Sequence, residues 1–137
     1  MMKSRKSSSA EYRKSLSKTI AFDLDDVLCH RPKHHDNLDI DKYYGCKPNR
    51  KMIKIVNKLW EQGFTIKIYT SRGMTSLKGD VNEIYSKLYE LTTDCLKQWR
   101  VKYDVLVMGK LHYDLLVDDK AINSSDVRSI NDILKHL

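Results

Sequence analysis

Apolar and polar positions fall in blocks along this chain, and the period changes from block to block. Residues 19–24 form a short continuous apolar run with a β-branched start, too short for a helix and suited to a strand covered on both faces. Across 48–62 the apolar side chains Met52, Ile53, Ile55, Val56, Leu59 and Trp60 make a helical stripe, with Pro48 near its start and Gly63 just past its end. Residues 64–70 are β-branched and aromatic, a strand broken by Ser71, Arg72 and Gly73. The spacing of Val81, Ile84, Leu88, Leu91, Cys95 and Trp99 predicts a long amphipathic helix over 80–100 with Asp80 as its N-cap. Residues 103–108 and 114–117 read as two more short strands. Ile130, Ile133, Leu134 and Leu137 mark a terminal helix over 125–137. No internal repeat appears.

Strands alternating with helices predict an α/β fold, a Rossmann-like parallel sheet with right-handed crossovers and helices on both faces. At 137 residues the chain suits a single domain over 19–137, with residues 1–18 set apart by composition. No apolar run approaches the roughly 20 residues that cross a bilayer. Cys29, Cys46 and Cys95 are odd in number and far apart, and the first residues lack the apolar stretch of a secretory signal, which points to a reducing cytoplasm.

The net charge of +7 is unevenly spread. Residues 1–18 hold Lys3, Arg5, Lys6, Arg13, Lys14 and Lys18 against Glu11 alone, and the remainder is nearly balanced. The basicity is therefore mostly a property of this segment, whose Ser and Lys content reads as a flexible solvated extension, so nucleic acid is not the expected partner.

The chemistry collects where the strands end. In an open parallel sheet, ligands sit beyond the C-terminal strand ends. Asp23 ends the first strand, with Asp25 and Asp26 just beyond. Thr70 ends the second, and Asp118 with Asp119 end the run 114–117. Carboxylates clustered there repel one another and call for a hard cation, Mg²⁺, or for hydrogen-bond donors.

These features together resemble the haloacid dehalogenase superfamily of phosphohydrolases over nearly all of 19–123. The strand followed by Asp-x-Asp-x-(Thr or Val) is met by Asp23, Asp25 and Val27, the strand-terminal Thr by Thr70, the lysine by Lys110, and the apolar strand closing in paired acids by Asp118 and Asp119. Asp26 stands where many relatives have glycine. The stretches IYTSRGM and GKLHYDLLVDDKA resemble, more narrowly, capless members linked to capsule and surface-polysaccharide biosynthesis. The resemblance implies Asp23 as the nucleophile of an aspartyl-phosphate and Asp25 as general acid and then base. It implies Thr70 and Lys110 as the phosphate-holding groups, Mg²⁺ bound by Asp23, the Asp25 carbonyl and Asp118, and Asp119 behind those ligands. A sugar phosphate or related small metabolite is the substrate class it suggests. A phosphatase acting on nucleic-acid ends, or a catalytically silent binding protein, are the alternatives.

Between the first strand and first helix, residues 27–47 leave room for a flap but not for a cap domain, so the site should be open, closed by a large substrate or by another subunit. Flap residues His30, Arg31, Lys33, Tyr43 and Tyr44 are candidates for substrate contact by location, and Arg72 is a candidate phosphate clamp or a partner for an acid at the sheet edge. Cys29, His30, His34, His35 and Cys46 invite a zinc reading, but their spacing fits no structural zinc pattern. No calcium loop is complete either. Tyr85, Tyr89, Trp99 and Tyr103 add aromatic surface that could serve a homo-oligomer, although burial against the sheet is the default for Trp99.

Overall fold

The computed structural model describes residues 18–33 and 40–137. The basic segment, apart from Lys18, and the histidines His34 and His35 lie outside the described residues. The chain folds as α/β around a three-stranded parallel sheet in the order β1 (Thr19–Phe22), β4 (Thr65–Tyr69), β5 (Val105–Val107). Between β1 and β4 come a two-residue antiparallel ribbon, β2 (Cys29–His30) with β3 (Lys47–Pro48), and the helix α1 (Arg50–Glu61). A 3-10 helix (Ile40–Gly45) lies within the ribbon's connection, in the described part of the expected flap.

Local chemistry sets the helix ends. The Asn49 side chain accepts the Met52 amide to start α1, and Asp80 accepts the Glu83 amide to start α2 (Val81–Gln98). The apolar stripe of α1 lies fully in the core, with Val56 and Leu59 sealed from solvent. In α2, Ile84, Leu88 and Leu96 are buried, while Tyr85 and Tyr89 stack on each other near the surface with ring centroids 5.5 Å apart. Trp99 is buried, as its default reading holds. The terminal helix, α3 (Ile130–Leu134), is shorter than the 125–137 stripe predicts, because a 3-10 turn (Ser124–Asp126) takes the preceding residues.

The structure departs from the sequence pattern at the run 114–117 and on one face of the sheet. The run 114–117 forms no strand. Leu115, Leu116 and Val117 are exposed, the last at 91%. The sheet consequently ends at β1, whose register pairs it with β4 alone. Nor is the sheet covered on both faces. Phe22, Ile66, Ile68 and Leu106 are buried on one face, while Ala21, Lys67, Tyr69 and Val105, matched across the same registers, are exposed on the other. A strand that gains no ladder partner leaves its amides to water or to nearby side chains. The Asp118 carboxylate does the latter by accepting the Lys120 amide at 2.8 Å, a local turn that competes with pairing.

Candidate active site

Past Phe22 the chain leaves β1 and turns sharply. The Leu24 carbonyl accepts the amides of Val27, Leu28 and Cys29, and Asp26 donates to the Cys29 carbonyl at 2.7 Å. This turn needs a left-handed residue, and Asp26 supplies it at φ 68°, a conformation aspartate tolerates better than most side chains. The glycine-like position in the motif is thus filled by a residue whose carboxylate also pairs with Arg31.

The turn splits the roles of its carboxylates. Asp23 stays half-exposed at the mouth, one oxygen accepting the Leu24 amide at 2.8 Å and the other 3.3 Å from Lys110 Nζ. Asp25 points inward, where Arg72 grips both its oxygens through Nε and Nη2, each at 2.9 Å. That guanidinium is only 1% exposed as a residue, stacks 4.6 Å over the Tyr43 ring and donates to Thr92 Oγ1 at 3.3 Å. Burial alone would weaken its charge, but the hydrogen bonds and charge of Asp25 outweigh that and raise Arg72 above its ordinary value. The edge-acid partner, one of two roles open to Arg72 from sequence, is the one the fold uses.

Under this pair lie two thiols. Cys29 Sγ and Cys46 Sγ sit 3.4 and 3.7 Å from Asp25 Oδ1, and Arg72 Nη2 is 3.8 and 3.6 Å from them. The hydrogen bond between the thiols, then burial, push Cys29 up, and the same bond holds Cys46 down. Both are buried, and the exposed His30 does not join them.

Above the pair opens a cleft of about 450 Å³, lined by Asp23, Asp25, Asp26, Arg31, Lys42, Tyr43, Ser71, Arg72, Thr75 and the run Lys110 to Tyr113. Its lining carries three acids against four strong bases, a net positive charge suited to an anion. Lys110 is drawn in by its own backbone, whose amide donates to the Thr70 carbonyl at 3.0 Å just after Gly109 at φ 84°. Burial opposes its charge, but the bond with Tyr113 and the charge of Asp23 raise Lys110 above its ordinary value.

Asp23, Asp25, Arg72 and Lys110 therefore converge as expected, with Arg31 and Tyr43 from the flap. Thr70 is buried behind the lining, its hydroxyl oxygen accepting the Arg72 amide at 3.1 Å. His30, Lys33 and Tyr44 do not line the cleft, and Tyr44 is 72% exposed. Asp118 and Asp119 also stand outside it, because the run that should carry them to the sheet edge is unpaired; the Lys120 amide holds the Asp118 carboxyl below its usual range where it stands. Sequence reasoning missed Ser71, Thr75, Lys42, His112 and Tyr113. Ser71 directly follows Thr70, Thr75 lies four residues further on, His112 and Tyr113 come soon after Lys110, and Lys42 precedes the flap candidate Tyr43, so nearness in sequence to the named candidates was the available signal.

No family model and no curated sequence matches the chain. Among solved structures it is similar to an MCSG structural-genomics target from Vibrio cholerae, with a TM-score of 0.71 and 25% identity over 87% of this chain and 95% of the other. That likeness supports the Rossmann-like α/β architecture.

Proposed function

We propose that this chain is a haloacid-dehalogenase-type phosphatase that hydrolyses a phosphate monoester of a small metabolite, a sugar phosphate being the natural candidate. The observation that carries the reading is the position of Asp23, a half-exposed carboxylate at the mouth of a net-positive cleft, 3.3 Å from Lys110 and not committed to an arginine. Asp23 attacks phosphorus, the bond to the leaving oxygen breaks, and water then hydrolyses the acyl phosphate. Lys110 supplies fixed positive charge to the phosphoryl oxygens. A cleft of about 450 Å³ is in the range of small-ligand sites. The narrower likeness to surface-polysaccharide enzymes points to the sugar.

The Mg²⁺ implied by the resemblance lacks a full donor set in the chain as folded. Of the implied ligands, the Asp23 carboxylate and the Asp25 carbonyl belong to residues that line the cleft, whereas Asp118 is outside it and the Asp25 carboxylate, held by Arg72, does not replace it. The grip of Arg72 on Asp25 also favours a second reading, a fold that binds a phosphorylated ligand without turnover, because both Asp25 oxygens are already engaged by the guanidinium.

Hydrolysis of an aryl phosphate by wild type and Asp23→Asn, each with Mg²⁺ and with a chelator, separates the two. Turnover that falls on the order of 10³-fold or more in a folded Asp23→Asn protein supports the phosphatase. Phosphate binding without turnover supports the second reading, and activity that survives in Asp23→Asn removes the nucleophile.

A further inference from the structure

Beneath the cleft, the chain brings two cysteines together from segments seventeen residues apart. Cys29 is on β2, opposite Pro48, and Cys46 lies two residues before Pro48, so the two stand diagonally on the same side of the ribbon. Their sulfurs and an Asp25 oxygen lie within 4.8 Å of one another. We propose that Cys29 and Cys46 form a reversible disulfide that locks the base of the flap, a redox modification site beneath the cleft.

The oxidant is a low-molecular-weight disulfide of the glutathione class. Cys46, the less buried of the two at 9% exposure, attacks it as the thiolate and forms a mixed disulfide, releasing one small thiolate. Cys29, sealed at 0%, then attacks the Cys46 sulfur and releases the second. The two protons lost by the cysteines go to the two released thiolates, so one small disulfide becomes two thiols as the protein pair is oxidised. The sulfurs, within 4.8 Å of each other, close to about 2.05 Å when the bond forms.

Two thiols and a carboxylate also suit a soft metal ion. Arg72 argues against one here: its guanidinium already holds both Asp25 oxygens and lies 3.6 and 3.8 Å from the sulfurs, in the place a cation would take.

The test does not depend on the phosphatase reading. Full-length protein is equilibrated in buffers of glutathione and its disulfide, then alkylated, and its free thiols and linked peptides are read by mass spectrometry. The expected result is a fall from three free thiols to one, a linked Cys29–Cys46 peptide, full reversal by dithiothreitol, and the same link in Cys95→Ser. Three free thiols at every ratio, a glutathione adduct that persists without a link, pairing through Cys95, or a stoichiometric Zn²⁺ complex that protects both thiols would each overturn it.

Discussion

Two apolar runs of this chain end in acids, and the fold treats them in opposite ways. Residues 19–22 pair with β4 along a full register, and the acids that follow are drawn into a turn, where Asp25 meets a buried guanidinium and Asp23 meets Lys110. Residues 114–117 carry the same kind of pattern and pair with nothing among the described residues, and Asp118 bonds to the amide two residues on. Hydrophobic pattern nominates a strand, but a partner edge makes one, and a resident base makes a site of the carboxylates beyond it.

The contrast is sharpest at Arg72. Replacing it with Met leaves the part-buried Asp25 beside two thiols without its counter-charge, and urea unfolding should show a loss of about 2–4 kcal/mol, somewhat under that for a fully buried pair. Next is Gly73, at φ 82°, where an added Cβ would stand 2.7 Å from Leu88 Cδ1 and 3.0 Å from Ile84 Cγ1. Gly73→Ala should cost about 1–3 kcal/mol by the same measurement, from overpacking and a strained backbone.

Lys110 links the paired region to its ligand. Its folded value is raised, so the stability its charge adds is present in full below the unfolded value of 10.5 and is lost as pH rises through the folded one. Affinity for inorganic phosphate in the wild type should hold up to about pH 10 before alkalinity removes the lysine charge. In Lys110→Met calorimetry should find weaker binding at neutral pH and no lysine-dependent fall above pH 10.

The smallest effect belongs to the unpaired region. Asp118→Asn should change stability by no more than about 0.5 kcal/mol and turnover by about twofold at most, as for an exposed surface position. A loss of a hundredfold in turnover would break the comparison, by showing that residues 114–118 reach the outer edge of β1 during the reaction.

Much of the paired region was legible in advance because its signals are local. Asp80 sits where a cap belongs, the stripe of α1 has a helical period, and β4 is β-branched and aromatic ahead of turn residues. The acid cluster after β1 could be read as a site for the same reason. The inward turn of Asp25 depends on Arg72, 47 residues away, and the burial of Thr70 on the chain folding back behind it, and neither has a local signature. The run 114–117 misled because three apolar residues in a row, Leu115 to Val117, look the same with or without a neighbour.

Tyr43 lies on the flap and Gly73 on the turn after β4, and the amide of one donates to the hydroxyl of the other at 3.1 Å. A single backbone hydrogen at Gly73 thus becomes a clock for the flap. In heavy water it exchanges when Tyr43 swings away, so its rate, followed residue by residue by NMR, counts the openings of the cleft without any ligand, mutation or dye.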